Sequence, residues 1–145
     1  MSNITAAITA VGAYVPDYVL TNKILETLVD TNDEWITTRT GIKERRILKD
    51  DTKGTSYLAI KAAQDLIAKA NIDPLEIDMI IMATATPDML VASTGVHVAT
   101  EIGATNAFSY DLQAACSSFL FGMSTAAAYI QSGRYKKVLL IGADK

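Results

Sequence analysis

The chain has 145 residues, half of them hydrophobic, which suits one globular domain with a buried core and argues against disorder. A net charge of −3 and a pI near 5.0 show no basic excess of the kind that points to nucleic acid. The single cysteine, Cys116, excludes an intramolecular disulfide framework and fits a reducing compartment such as the cytoplasm. Met1-Ser2-Asn3-Ile4-Thr5 lacks the basic and apolar regions of a signal peptide.

Ile4–Val15 is rich in Ile, Val, Thr and Ala, stops at Pro16, and reads as a first strand. Thr21 is placed to cap a short helix over Asn22–Val29. Thr31 and Glu34 have capping-box spacing, with Thr31 at the N-cap, and Gly41 is a plausible stop for the helix they open. Trp35 and Arg39 fall on one face of that helix. Two readings of this pair stand: a core anchor beside a surface charge, or a flat cationic platform for an aromatic ring bearing phosphate. Lys43, Arg45, Arg46 and Lys49 follow as the one local basic cluster.

Asp50–Thr55 reads as a loop. Thr55 or Ser56 is expected to cap an amphipathic helix reaching Ala70, and Asp73-Pro74 opens a short turn. Met79–Thr84 is a continuous apolar run of strand length, as in a strand buried on both faces. A loop over Thr86–Ala92 precedes a helix capped by Ser93 and ended by Gly103. A strand over Asn106–Leu112, a helix over Ser117–Gln131 and a last strand over Val138–Ile141 complete the chain. From Met79 onward the order is β-α-β-α-β with short connections, an α/β layering with parallel strands. The uncharged run Leu112–Gly133 is interrupted by Gln113, Ser117, Ser118, Gly122 and other small or polar residues, so it reads as a central buried helix and not a membrane span. No linker, repeat or low-complexity tract divides the chain.

Cys116 lies where the strand turns into the long helix. A thiol at a helix N-terminus faces unpaired N–H groups and the positive end of the dipole, both of which favour thiolate over thiol. Its neighbours Ala114, Ala115, Ser117 and Ser118 are small. The pattern is that of a nucleophile on a strand-to-helix elbow, set against the ordinary role of a free cysteine as a small buried hydrophobe. His97 lies mid-helix between two valines and is set aside as a base. Asp111 reads as a strand-end hydrogen-bonding residue. No P-loop, GxGxxG or metal-ligand spacing occurs.

The segment Asp111-Leu-Gln-Ala-Ala-Cys-Ser-Ser-Phe119 resembles the active-site segment of the β-ketoacyl-acyl-carrier-protein synthase III family. Thr31-Asn-Asp-Glu-Trp-Ile-Thr-Thr-Arg-Thr-Gly-Ile-Lys-Glu-Arg-Arg46 is similar to that family's CoA-contacting segment. The resemblance runs from Ile4 to the end of the chain, and full-length members are roughly twice as long. It implies a thiolase-like fold, with residues 1–145 as one half of a pseudo-symmetric pair and helices layered on a mixed, largely parallel sheet. It implies that Cys116 accepts an acyl group from acyl-CoA, and that Trp35 and Arg39 sandwich the CoA adenine with Thr31 beside it. It places Val91 in the loop that lines the partner subunit's acyl pocket. Malonyl-acyl carrier protein is the implied second substrate and a homodimer the implied assembly. No metal or resident cofactor, no nucleic acid and no membrane is implied. The family's catalytic His and Asn match no residue of these 145. Other thiolase-fold acyltransferases, such as hydroxymethylglutaryl-CoA synthase or secondary-metabolite condensing enzymes, and a non-catalytic assembly subunit are the alternatives.

Overall fold

The structure, a computed structural model, describes residues 4–145, so the sequence reading of Met1–Asn3 lies outside it. The described residues form two compact units, one from residues 4–14 together with 53–145 and one from 15–52.

The smaller unit is a two-stranded antiparallel ribbon with two helices. Strand β1 (Tyr18–Thr21) pairs with β2 (Glu44–Ile47), Tyr18 opposite Ile47 and Thr21 opposite Glu44. Between them lie α1 (Asn22–Leu25) and α2 (Asp33–Thr40). Thr21 caps α1 as the sequence predicts, its hydroxyl accepting from the Ile24 N–H at 3.3 Å. The regular helix is shorter than expected, however, and continues only as turns to Val29. The cap of α2 differs from the expectation. Asn32, in extended backbone, accepts from the Trp35 N–H at 2.7 Å, and Thr31 stands one residue outside. Asn at this position makes the same bond as Ser or Thr, so the two caps compete and backbone geometry selects Asn32. Gly41 ends α2 at φ 72°, a left-handed conformation that glycine adopts without a Cβ clash.

The larger unit is an α/β layer. Its parallel sheet has the order β4-β3-β5, with β3 (Met79–Ala83) between β4 (Phe108–Leu112) and β5 (Val138–Gly142). Ile81 is level with Tyr110 on one side and Leu140 on the other. Every residue of β3 is buried, which accounts for its unbroken apolar run. Successive side chains alternate between faces. Ile80, Met82, Leu139 and Ile141 join Ala59 and Ala63 of α3 (Thr55–Ala70) and Val98, Ala99 and Ile102 at α4 (Thr94–Glu101) in one core. The opposite face receives α5 (Ser118–Gln131). There a Cβ on Gly122 would stand 2.5 Å from Leu140 Cδ1, so glycine permits the close approach of helix and strand.

Two expectations fail in this unit. Residues 4–17 form no strand. A strand exists only through a partner's hydrogen bonds, and the Ala13 N–H goes instead to the Asp65 carboxylate at 3.0 Å. Neither Thr55 nor Ser56 caps α3 with its own side chain. Gly54 is the N-cap, and the Asp88 carboxylate accepts from the Ser56 N–H at 3.1 Å from 32 residues away. Ser93, by contrast, caps α4 as predicted, accepting from the Val96 N–H at 3.3 Å. Among the described residues no helix is long and apolar enough to cross a membrane.

Candidate functional site

In the larger unit, β4 ends at Leu112 and the chain turns through Gln113 and Ala114 into a single 3-10 turn, Ala115–Ser117, before α5 begins. Cys116 sits in that turn as an exposed free thiol. It is thus neither the buried hydrophobe of the alternative reading nor part of the α-helix proper. It lies past the carboxyl end of a parallel strand, where open α/β sheets place their ligands. The backbone at the turn is unusual. Ala114 has φ −149° and ψ 37°, and Ala115 has φ 46°. A left-handed alanine costs on the order of 1 kcal/mol, so neighbouring bonds must hold it.

Beside this elbow a cleft of about 240 Å³ opens beyond the ends of β3 and β4. Thr84, Asp111 and Gln113 form its polar side, and Pro87, Met89, Leu90 and Val91 its apolar side. Leu90 and Val91 are almost fully solvent-exposed (98% and 100%). The loop that carries them is tied down at both ends. Asp111 accepts from the Ser93 hydroxyl and from the Thr94 and Gly95 N–H groups, all at 2.8 Å, which holds the start of α4 against β4. Its role is the strand-end hydrogen bonding read from the sequence. At the other end Asp144 accepts from the Thr84 hydroxyl at 3.0 Å, the Ala85 N–H at 2.7 Å and both the N–H and hydroxyl of Thr86. Burial acts to raise the Asp144 pKa, but these hydrogen bonds together outweigh it and hold the carboxyl below its ordinary range. His97 is exposed on α4.

In the smaller unit, Trp35 and Arg39 project from α2 with the guanidinium carbon 4.6 Å from the indole centroid. Trp35 is 52% exposed, and Ile36 is the residue α2 buries. This disposition is that of a surface platform and not of a core anchor. Thr31 is half-buried just before the helix. The platform rests on a residue that sequence reading passed over, Asn22, which is 2% exposed. Its amide donates to Asp33 Oδ1 and to the Ile42 carbonyl, each at 2.7 Å, and its carbonyl oxygen accepts from Arg45. These partners lie 11 to 23 residues away, so no local pattern could have exposed the role. Ser118, 3% exposed beneath the elbow, was passed over as well. Its only sequence signal is a hydroxyl two residues after the cysteine.

The model of the 3-oxoacyl-[acyl-carrier-protein] synthase III family matches residues 110–145, the segment holding the elbow and β5. Over all 145 residues the chain is 54% identical to β-ketoacyl-[acyl-carrier-protein] synthase III 2 of Bacteroides thetaiotaomicron and 57% identical to the corresponding synthase III of Porphyromonas gingivalis strain W83. In both cases the match spans 43% of the relative's length. The crystal structure of 3-oxoacyl-[acyl-carrier-protein] synthase III from Aquifex aeolicus superposes with a TM-score of 0.90 at 47% identity, covering 94% of this chain and 44% of that one. The priming β-ketosynthase of the R1128 polyketide pathway superposes at 0.88 with 36% identity, covering 93% and 40%. The fold is accordingly thiolase-like α/β, as the resemblance implied. Identity along all of this chain, the family match at the elbow and the shared fold together make it similar to the β-ketoacyl-acyl-carrier-protein synthase III proteins, of whose length it spans about 43%.

Proposed function

We propose that the chain is the acyl-accepting half of a condensing enzyme that joins a CoA-borne primer to malonyl-acyl carrier protein and so begins fatty-acid synthesis. Residues 1–145 are then the N-terminal thiolase-like half-domain. The observation that carries the reading is an exposed thiol, Cys116, on a tight turn past a parallel strand, in a chain 54% and 57% identical to two named synthases III. The Cys116 sulfur attacks the acyl carbonyl carbon, the bond from that carbon to the CoA sulfur breaks, and CoA departs with the proton. Thiolate is both a strong nucleophile and a good leaving group, so the thioester is an intermediate with an easy entry and exit. Malonyl-acyl carrier protein loses carbon dioxide, and its carbanion attacks the thioester carbonyl. The Cys116 thiolate is expelled and a 3-oxoacyl product remains. The Cys116 backbone N–H supplies one oxyanion donor.

Trp35 and Arg39 hold the CoA adenine, with Thr31 beside it. The exposure of Trp35 and the nearness of the guanidinium, 4.6 Å from the indole centroid, support a cationic-aromatic platform here, and the guanidinium moves off the indole face for the two to take a ring between them. Val91, exposed on the cleft loop, lines an acyl pocket shared with a second subunit, and its modest size leaves room for a longer or branched primer. Pairing of β4, an edge of the described sheet, with its copy makes the homodimer. Acyl-CoA enters as substrate, no resident cofactor is needed, and the reaction is cytoplasmic. The likeness to a priming ketosynthase supports a second reading in which the same residues start a polyketide. Choice of primer and carrier protein separates the two.

The test is mass spectrometry of the full-length protein after incubation with acetyl-CoA or a branched short acyl-CoA. One acyl group on Cys116 is expected, and none in Cys116→Ala. Acylation that persists in the variant refutes the assignment.

A further inference from the structure

The elbow carries a left-handed alanine, Ala115 at φ 46°, directly before Cys116. Something must keep it there, because relaxation to the right-handed region would swing both the Cys116 side chain and its N–H. One side chain reaches both ends of the strained step. Ser118 Oγ accepts from the Ala114 N–H at 2.7 Å and donates to the Ala115 carbonyl at 2.7 Å. Both the donor and the acceptor capacity of the hydroxyl are thereby used on the two peptide groups that flank the turn. Ser118 is 3% exposed, so water does not readily replace it. The Ser117 N–H adds a bond to the Ala114 carbonyl at 3.1 Å, which closes the turn from the other side.

We infer that Ser118 is a positioning residue: its hydroxyl clamps Ala114 and Ala115 in the left-handed elbow and so holds the Cys116 thiol and N–H in their reactive placement. The inference rests on the proposed role of Cys116 for its importance but not for its test. Small residues at 114 and 115 make the turn sterically possible, and the hydroxyl makes it the preferred state. The hydroxyl bonds only to Ala114 and Ala115, so the clamp acts on the placement of Cys116.

The experiment compares Ser118→Ala, Ala115→Gly and the double variant in the full-length protein. Two rates are read at fixed pH: alkylation of Cys116 by iodoacetamide, and acylation from acetyl-CoA with its KM. Two lost hydrogen bonds correspond to a fall of about ten-fold or more in both rates for Ser118→Ala, with KM unchanged. Glycine adopts positive φ without penalty, so Ala115→Gly alone should keep wild-type rates, and in the Ser118→Ala background it should restore most of the loss. A packing role for Ser118 predicts no such rescue. Wild-type rates in Ser118→Ala, or a loss that Ala115→Gly does not repair, overturn the clamp. If Ser118→Ala does not fold, Ser118→Thr, which keeps the hydroxyl, is compared with Ser118→Val, which lacks it, and equal Cys116 alkylation rates in the two overturn the clamp. A wild-type thiol that alkylates but never acylates refutes the proposed function and leaves the alkylation comparison to judge the clamp.

Discussion

Asn22 and Asp33 are joined by a 2.7 Å hydrogen bond from a fully enclosed amide to the carboxylate at the first turn of α2. The Asn22 amide is the main reason the Asp33 carboxyl lies below its ordinary range. Burial opposes it, and the Thr37 hydroxyl and Lys43 add to it. The same side chain reaches the Ile42 carbonyl and Arg45, so α1, the end of α2 and β2 meet on one residue. Asn22→Ala leaves these groups without their partner, at a cost of about 1–3 kcal/mol. Thermal unfolding of the variant measures that loss, and an NMR titration should show Asp33 moving up toward an ordinary carboxylate. An unchanged Asp33 titration would show that the amide does not govern it.

Replacement of Trp35 should weaken acyl-CoA use without unfolding the protein. A stacked contact of this kind corresponds to about ten-fold in affinity. Arg39→Ala should act in the same direction, since its guanidinium lies over the indole. Isothermal titration with CoA, beside circular dichroism of each variant, checks both. A Trp35→Ala protein that unfolds, with CoA affinity intact in Arg39→Ala, would assign Trp35 to the core.

Acid should destabilise the larger unit through Asp144 and Asp78. The Lys137 and Lys136 N–H groups hold the Asp78 carboxyl below its ordinary range, and the loop hydrogen bonds do the same for Asp144 against the effect of burial. Depressed carboxyls bind fewer protons folded than unfolded. The stability they contribute is therefore present above the ordinary value of 3.8 and is lost as pH falls through the lower folded values. Melting temperature followed from pH 7 to pH 2 should drop below about pH 4. Asp144→Asn should lower stability at neutral pH and make that acid limb shallower.

The 145-residue chain prepared alone should self-associate and should not condense substrates. Leu120 (62% exposed) and Phe121 (55% exposed) stand out from α5 with Phe119 and Met123, large apolar side chains left in solvent around the start of the helix. Within these residues the single histidine, His97, stands exposed on α4 and offers no second wall for a developing oxyanion. Analytical ultracentrifugation and an assay with acyl-CoA and malonyl-acyl carrier protein test both halves of the expectation. A monomer that yields 3-oxoacyl product refutes them together.

Features settled between near neighbours were legible in the sequence. The apolar run Met79–Thr84 has the length and pattern of a strand covered on both faces, and β3 is that strand. Ser93 and Thr21 cap their helices because a hydroxyl reaches an N–H three residues on whatever the rest of the chain does. Gly41 stops α2 for an equally local reason. The order of elements from Met79 sufficed for a parallel α/β layer, and the run of small residues around Cys116 sufficed for a tight turn after a strand. Tertiary structure decided what depends on a distant partner. Ile4–Val15 has strand composition, yet its Ala13 N–H goes to Asp65, and without a ladder there is no strand. Asp88 caps α3 from 32 residues away, and Asn22 gathers partners from three separate segments. Even Ser118, close in sequence to the groups it binds, became legible only with the φ of Ala115. A hydrogen bond is assigned by where the chain brings its two ends, and composition records only that the ends exist.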